Sequence, residues 1–495
     1  MGYFNSLEEA LENPEEVTEL DLSSEENMDS IPPDLIRLNN LKDLKLSGLG
    51  LEDLTGLKYL KDLRLLDLSN NGLTELPEDI DSLRFLEVLF LNENEGIRLP
   101  NSIIYLSNLI TLDLENNKFT ELPESIPQID TLRGLYLRGN NLSQLPEELC
   151  RLFHLEQLDL SNNQLTMLPD IFGYTKNLEI LWIGNNKLEE IPDSVFTLRN
   201  IKQLGLNNNF LNSIADKFHE LTNLYDLDLS NNRLSEIPES IDECINLQYL
   251  NLGNNNLKKL PTRLSNLNNL GNINLEDSKL NEFPSFICDI ENIMEIDLSG
   301  NNISEIPDCI ESLTYLEVLN LDNNPIRSIS QSIFELKNLR VLDLENSHIK
   351  ESEIEKINDF LEKNEETMDE EEEDGENAGP GEIEEVDIDD FEAEREEETD
   401  STEEMPATDL MSFNEIVQTY NNFNFGQKIE FLDKWNWEGK NYLKDYIKND
   451  YGIKDAILAT IEDIAAKETT REESINEVIS DLKGSMGKLM REIME

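Results

Sequence analysis

The chain has 495 residues, too many for one compact core, and this length predicts two or three domains. Asp and Glu outnumber Lys and Arg by 105 to 40, a formal net charge of -65, so the surface should repel nucleic-acid phosphates and attract basic partners. No apolar run approaches the roughly 20 residues that span a bilayer. Residues 1–16 lack the apolar stretch of a signal peptide, and four cysteines are too few for a disulfide framework. We therefore expect a cytoplasmic protein that binds neither nucleic acid nor membrane.

The N-terminal segment, residues 1–16, is predicted to be a helical cap. Residues 6–9 (Ser-Leu-Glu-Glu) have the pattern of a capping box, and the helix that they open should end before Pro14. Residues 1–6 also match the short myristoylation pattern at Gly2. We disfavour this modification, because one acyl chain anchors weakly without a basic patch and the neighbouring glutamates would repel anionic lipid.

A 23-residue frame follows the cap and recurs without a change of register. Its thirteen regular copies open at Leu63, Leu86, Leu109, Leu132, Leu155, Leu178, Ile201, Leu224, Leu247, Leu270, Ile293, Leu316 and Leu339. Two looser copies open at Val17 and Leu41. Because no single copy could bury its own leucines, the thirteen regular and two looser copies predict a solenoid that is stabilised copy by copy.

Each part of the frame has a structural reason. The leucines at the fourth and sixth positions lie two residues apart, so they share one face of a short strand, and the residue between them points to the other face. An asparagine three residues after the strand can satisfy backbone groups inside the core through its amide. This asparagine column comprises Asn71, Asn94, Asn117, Asn140, Asn163, Asn186, Asn209, Asn232, Asn255, Asn301 and Asn324, and Ser278 and Ser347 replace it in two copies. A Leu-Pro or Ile-Pro step then favours an extended return path.

A cap helix is predicted after the last copy. Residues 352–355 (Ser-Glu-Ile-Glu) form a second capping box. The apolar residues of this segment recur at helical spacing and should lie over the last repeat: Ile354, Ile357, Phe360 and Leu361. The repeat domain is therefore assigned to residues 17–363.

The frame Leu-x-x-Leu-x-Leu-x-x-Asn-x-Leu-x-x-Leu-Pro-x-x-Ile-x-x-Leu resembles the intracellular leucine-rich repeats of Ras-group and LAP-type scaffolds. Similar repeats occur in Roco kinases and in bacterial proteins. The resemblance implies an α/β solenoid, a leucine-rich-repeat horseshoe of about fifteen copies, that recognises proteins on its concave sheet. No Gly-x-x-x-x-Gly-Lys loop is present, so we do not expect nucleotide binding of the Roco kind.

Composition changes after the repeats. Residues 364–407 are dominated by Asp and Glu, and like charges at this density predict an acidic disordered linker. Two roles stay open for it: a docking strip or a competitor for the concave face, and a solvated spacer. Residues 408–495 have no repeat frame, and their apolar residues recur at helical spacing. They predict a small all-α C-terminal domain that resembles no family we recognise.

The sequence offers no catalytic, cofactor or metal site. The three histidines lie in separate repeats without metal-ligand spacing, and we interpret them as surface residues. Cys244 takes a core column, where it should act as a small apolar filler. Cys288 and Cys309 lie in adjacent copies and could approach each other, but a reducing compartment argues against a bridge. No cysteine follows Cys309, which disfavours a ubiquitin ligase with a cysteine nucleophile.

The residues between the paired leucines point away from the core and form the candidate binding surface. Along successive copies they run Asp67, Phe90, Asp113, Tyr136, Asp159 and Trp182, and Arg138 follows two residues after Tyr136. Large aromatic side chains and arginine are enriched at interface hot spots, whereas the aspartates should meet basic groups of a partner. We therefore predict a partner-binding site comprising Phe90, Tyr136, Arg138, Trp182, Asp113 and Asp159. The alternative is that these are ordinary scattered surface aromatics.

We interpret the chain as a protein–protein interaction module without enzymatic activity, acting as a scaffold or adaptor. Its partner should carry a basic and apolar segment. The alternative function is a regulator or inhibitor of a single enzyme, such as a phosphatase, a GTPase-pathway component or a toxin. A scaffold should bind two partners through separable halves, whereas a regulator should lose its one partner when either half is removed.

Overall fold

The computed structural model describes residues 2–25, 28–257 and 260–374, with side chains described as far as residue 365. This part of the chain contains the predicted N-terminal cap, the repeats and the cap helix. The remainder of the predicted linker, residues 375–407, and the predicted helical domain, residues 408–495, lie outside the described residues.

The described repeats build one parallel sheet whose sixteen strands follow chain order. These strands are β1 Gly2–Phe4, β2 Val17–Asp21, β3 Asp43–Lys45, β4 Leu65–Asp67, β5 Val88–Phe90, β6 Thr111–Asp113, β7 Gly134–Tyr136, β8 Gln157–Asp159, β9 Ile180–Trp182, β10 Gln203–Gly205, β11 Asp226–Asp228, β12 Tyr249–Asn251, β13 Asn272–Asn274, β14 Glu295–Asp297, β15 Val318–Asn320 and β16 Val341–Asp343. The fifteen predicted copies supply β2 to β16, which confirms the solenoid. The additional strand, β1, lies in the predicted cap and pairs with β2.

A short 3-10 helix follows almost every strand on the opposite side of the solenoid. These helices span Pro33–Arg37, Leu57–Tyr59, Glu78–Ser82, Asn101–Tyr105, Ile126–Gln128, Glu147–Arg151, Phe172–Tyr174, Asp193–Thr197, Phe218–Glu220, Glu239–Glu243, Thr262–Asn266, Ser285–Asp289, Asp308–Ser312 and Gln331–Glu335. The predicted proline step precedes many of them in extended conformation, as at Pro77 with φ -68° and ψ 147°. We call this side of the solenoid the helical side.

The core between the two sides is a continuous leucine stack, and the predicted asparagine column lies inside it. The amide of Asn94 is typical: its Nδ2 donates to the carbonyl oxygens of Leu68 (2.9 Å) and Leu91 (3.0 Å), and its Oδ1 accepts the N–H of Leu73 (2.9 Å). Ser278 replaces only the donor part, through its hydroxyl, to the carbonyl of Leu252 (3.2 Å). The amide column therefore satisfies backbone groups inside the core, as predicted, and it also ties each copy to the one before it.

A second asparagine column, not predicted from the sequence, lies at the turn before nine of the strands. Each side-chain amide donates to a backbone carbonyl of the preceding copy, as Asn223 does to Arg199 (2.9 Å) and Asn246 to Thr222 (2.8 Å). The members of this outer column are Asn40, Asn108, Asn177, Asn200, Asn223, Asn246, Asn269, Asn292 and Asn338. Two amide columns, one buried and one exposed, thus hold the copies in register.

The N-terminal cap contains the predicted helix, α1 Leu7–Glu12, which ends before Pro14. The predicted capping box is wrong in detail, because the side chain of Ser6 makes no capping hydrogen bond. The chain instead continues the sheet through β1, where the N–H of Gly2 donates to the carbonyl of Glu16 (3.0 Å). The edge of the first repeat is therefore covered by backbone pairing as well as by a helix.

The C-terminal cap helix, α2 Glu351–Asp374, begins one residue earlier and ends eleven residues later than the sequence suggested. Ser352 therefore lies inside its first turn and is not its cap. Ile357 is buried, and the Phe360 ring packs edge-on against Phe334 at 5.2 Å. Ile354, also predicted to lie over the last repeat, is instead exposed. Asn364, assigned above to the disordered linker, donates to the carbonyls of Leu336 and Leu339 (both 2.9 Å). These bonds, and the lack of Gly or Pro before residue 375, explain why the helix runs on.

The cysteines give one confirmation and one correction. Cys244 is fully buried in the core, as predicted. Cys288 and Cys309, for which we expected no bridge, form a disulfide with a Cα–Cα distance of 5.8 Å. The expectation rested on an assumed reducing compartment, whereas the spacing of two stacked 3-10 helices already suits the bond.

Candidate partner-binding site on the sheet

Five of the six predicted site residues lie in one column across consecutive strands, and the sixth, Arg138, follows two residues after Tyr136. The strand pairings set Phe90 beside Asp113, Asp113 beside Tyr136, Tyr136 beside Asp159, and Asp159 beside Trp182. All of them belong to the face of the sheet that points away from the leucine core, which we call the outward sheet face. The strand register therefore sets these residues side by side, as the repeat period predicts.

Most members of this column have a structural task. The carboxylate Oδ1 of Asp67 accepts the N–H of the residue two positions on, Ser69 (2.8 Å), and so fixes the turn that leaves the strand. The same bond recurs from the N–H groups that follow Asp113, Asp159, Asp228, Asn274, Asp297 and Asn320. A Phe or Trp ring offers no such acceptor. Phe90 and Trp182 therefore replace a residue that the fold itself uses.

The prediction that the Tyr136 side chain projects from the sheet as an anchor for a partner is wrong. Its side chain is only 6% exposed, although it lies outside the leucine core. Gly134, two residues earlier on the same strand, leaves room for the ring, since a Cβ there would lie 3.2 Å from Tyr136 Cε2. The Tyr136 hydroxyl bonds to Oε1 of Gln157 on the next strand. Burial raises the pKa of the phenol to about 12, so Tyr136 forms part of the floor of the site.

Trp182 and Phe90 are half-buried. A Cβ on Gly205, the next residue in the column, would lie 3.1 Å from Trp182 Cδ1, so the indole leans over that glycine. Ile180 and Val88, on the same two strands, are also half-buried on the outward sheet face. The accessible apolar surface of the site is therefore supplied by Trp182 and Phe90 with these aliphatic neighbours.

The two aspartates of the site are buried, which sequence reasoning did not foresee. Asp113 is 7% and Asp159 4% exposed. Burial raises the pKa of Asp113 to about 7, and the nearby carboxylates of Glu115, Asp67 and Asp159 raise it further, against the hydrogen bond from the Glu115 N–H. Burial likewise raises the pKa of Asp159, against the bonds from Ser161. These carboxyls support the site from beneath and are not free surface charges.

Arg138 is the exposed cation of the site. Its guanidinium lowers the pKa of both Glu115 and Asp159, although burial holds both pKa values above their ordinary range. Its five N–H donors can present a planar fork to a partner carboxylate. The site therefore combines two half-exposed aromatic rings, one exposed guanidinium and a layer of buried carboxyls.

Three residues that shape this site were not predicted from the sequence: Gly134, Gly205 and Gln157. The signal was present, because a glycine inside a strand often marks a close approach of another group. Among the described residues, no His, Cys, Asp and Glu side chains gather in a group that could hold a metal ion. In the same part of the chain, no helix is both long and apolar enough to cross a membrane.

Comparison with known proteins agrees with this architecture. A family model described as a leucine-rich repeat region matches residues 22–137 and 232–368. Further leucine-rich-repeat models match residues 131–152, 154–195 and 176–234. No curated protein matches the chain. Leucine-rich-repeat proteins generally act in protein–protein interaction, and the fold is typically a non-enzymatic module.

Solved structures give the same result. A leucine-rich-repeat protein of Leptospira interrogans is 33% identical, with a TM-score of 0.68, and the match covers 73% of this chain and 98% of that one. The ectodomain of a plant membrane receptor kinase from Arabidopsis thaliana, solved with Casparian strip integrity factor 2, is 31% identical with a TM-score of 0.50. That match covers 68% of this chain and 45% of the ectodomain. An internalin of Listeria monocytogenes, 20% identical with a TM-score of 0.53, shares the fold over 68% of this chain and 89% of its own. The chain belongs to the leucine-rich-repeat family.

Proposed function

We propose that the chain binds a protein partner on its outward sheet face, with Trp182 and Phe90 as the apolar contacts and Arg138 as the polar one. The observation that carries this proposal is the replacement of Asp or Asn by an aromatic ring in the column that fixes the strand exits. Such a replacement gives up a local hydrogen bond and leaves apolar surface half-exposed. Both changes lower the stability of the free protein. Burial of the rings against a bound partner would offset this loss.

The relatives support a protein partner in general terms. The Arabidopsis ectodomain, 31% identical to this chain, was solved in complex with Casparian strip integrity factor 2. In this chain the net charge of -65 favours a partner with a basic surface. Because Asp113 and Asp159 are buried, the attraction acts mainly through the wider acidic surface and speeds encounter, whereas the aromatic rings set the lifetime of the complex.

As the specific role we propose a scaffold or adaptor, in which residues 408–495 take a second partner. The cytoplasmic location expected from the sequence belongs to the same proposal, and cell fractionation tests it. Pull-downs with residues 1–374 and with the full chain distinguish the roles. A scaffold retains one of two partners on the shorter chain, whereas a regulator of a single enzyme loses its only one.

The binding site itself is tested by Trp182→Ala. Using a partner identified by pull-down and the full chain, titration calorimetry should show a loss of roughly 2 kcal/mol or more, about 30-fold in Kd. The matched control is Tyr249→Ala, another half-buried aromatic on the outward sheet face three strands away, which should bind normally. Thermal melts should show that Trp182→Ala is far less destabilising than Leu181→Ala, whose side chain is in the core. Normal binding by Trp182→Ala, or an equal loss with Tyr249→Ala, would contradict the assignment.

A further inference from the structure

A contact between successive 3-10 helices recurs along the helical side. Each of these helices has a buried apolar residue at its centre. The contact joins the residue directly after the buried residue of one helix to the residue directly before the buried residue of the next, 21 positions later in the chain. Lys58 forms an ion pair with Asp79 in this way (3.2 Å), and Arg263 with Asp242 (3.8 Å). The hydroxyl of Ser332 donates to Glu311 in the same place (2.8 Å). The repeat itself therefore brings these two positions together, whatever residues occupy them.

Cys288 and Cys309 occupy this pair of positions between the helices Ser285–Asp289 and Asp308–Ser312. Their approach is thus a property of the stacking and does not depend on the covalent bond. The other cysteines have no such partner. Cys150 stands at the position equivalent to Cys288, but the residue 21 positions on is Ile171, and Cys244 is buried in the core.

The two bridged cysteines differ in exposure. Cys288 is only 7% exposed and belongs to the core, whereas Cys309 packs against the core and is half-exposed. The buried centres of the two helices, Ile287 and Ile310, are fully covered on either side of the bridge. The hydroxyl of Ser312 reaches the carbonyl oxygens of Cys288 (2.5 Å) and Cys309 (2.9 Å) and holds the two helices together independently of the sulfurs.

We propose that the Cys288–Cys309 pair is a site of reversible thiol–disulfide exchange with small-molecule thiols, entered at Cys309. A small thiolate attacks the Cys309 sulfur and forms a mixed disulfide, while the bond between the two cysteines breaks and its electron pair leaves on Cys288, which takes up a proton. A second small thiolate attacks the sulfur of the attached molecule. It releases the Cys309 thiolate and forms a small-molecule disulfide. Two electrons have then passed from two small thiols to the cysteine pair.

The solenoid should stay folded in both states, because the core residues and the Ser312 bonds hold the contact without the sulfur–sulfur bond. Oxidation or reduction of the pair therefore changes the covalent linkage between two copies but not their stacking. Its redox state would follow the thiol pool of the compartment in which the protein resides.

The test uses the full chain, equilibrated in buffers with graded ratios of reduced to oxidised glutathione, then quenched with acid, alkylated and examined by peptide mass spectrometry. The thiols of Cys288 and Cys309 should appear together as the buffer becomes more reducing and disappear on return, while the far-UV circular dichroism stays native. Reduction that occurs only in denaturant would overturn the proposal. So would a pair that stays in thiol form throughout.

Single variants test the point of entry. With oxidised glutathione, Cys309 in Cys288→Ser should gain the glutathione adduct about tenfold faster or more than Cys288 does in Cys309→Ser, because access governs exchange. Cys150→Ser is the matched control and should leave the titration of the pair unchanged. Equal adduct rates at the two positions, or faster reaction at Cys288, would show that Cys309 is not the entry.

Discussion

The buried carboxyl of Asp113 makes stability depend on pH in a direction that can be measured. Its pKa is raised by burial from 3.8 to about 7 in the folded protein. Between these values the folded protein binds more protons than the unfolded chain, so the unfolding free energy falls as pH rises. The contribution of the protonated Asp113 carboxyl to the unfolding free energy is fully present below pH 3.8 and is lost by about pH 7. A difference of about three units corresponds to about 4 kcal/mol at most.

Asp113→Asn removes the charge and keeps the shape. The Asn Oδ1 can still accept the N–H of Glu115, a bond of 2.8 Å in the present structure. The variant should therefore be more stable than the parent at pH 8, by up to about 4 kcal/mol, and the difference should shrink as pH falls toward 4. Urea denaturation followed by circular dichroism at pH 5 and pH 8 measures both effects.

Asp67→Asn is the matched control. Asp67 lies in the same column and accepts the same kind of bond, from Ser69 (2.8 Å), but it is only half-buried. Its replacement should change stability much less at either pH. The reasoning is refuted if Asp113→Asn and the parent lose stability in parallel between pH 5 and pH 8, or if the variant is the less stable of the two at pH 8.

Three further predictions follow from the packing and the charge. Asn209→Ala should cost about 3 kcal/mol or more in urea denaturation, because its buried amide bonds four backbone groups, whereas Asn223→Ala, which loses one exposed bond, should cost about 1. Equal losses would contradict this ranking. Ile357→Ala should cost about 2 to 4 kcal/mol by opening the C-terminal cap, and Ile354→Ala, on the exposed side of the same helix, should leave the Tm nearly unchanged. Raising salt should slow partner association more than dissociation in stopped-flow mixing, because exposed charges are screened over about 10 Å at 0.1 M. Salt-insensitive association would point to a purely apolar contact.

The repeat fold could be predicted because one frame recurs with a fixed period. Buried asparagines such as Asn94 and Asn209 recur beside leucines with the 23-residue period, a pattern that the repeat fold explains. The outer column was missed, although Asn223 and Asn246 recur with the same period. A polar residue in a surface turn looks ordinary, and only the bond to the preceding copy shows its role.

The sequence could predict which residues share the column of the candidate site, but not how deeply each one is buried. The period of the frame fixes that Phe90, Tyr136 and Trp182 share one column. Exposure depends on neighbours that the period does not reveal, such as Gly134 beside Tyr136 on the same strand and Gly205 beside Trp182 on the next strand. Sequence spacing carries no such lateral information until the sheet is assembled.

The regular bonding of the two amide columns bears on how such a gene can change. Each inter-copy bond joins positions whose equivalents recur every 23 residues, so losing or duplicating a whole repeat leaves every amide facing a matching carbonyl. Unequal recombination between repeats would then yield folded proteins directly. Each such event would move surface residues such as Phe90 and Trp182 apart or together in steps of about 4.8 Å. The distance between contact residues is therefore a quantity that selection can adjust without redesigning the core.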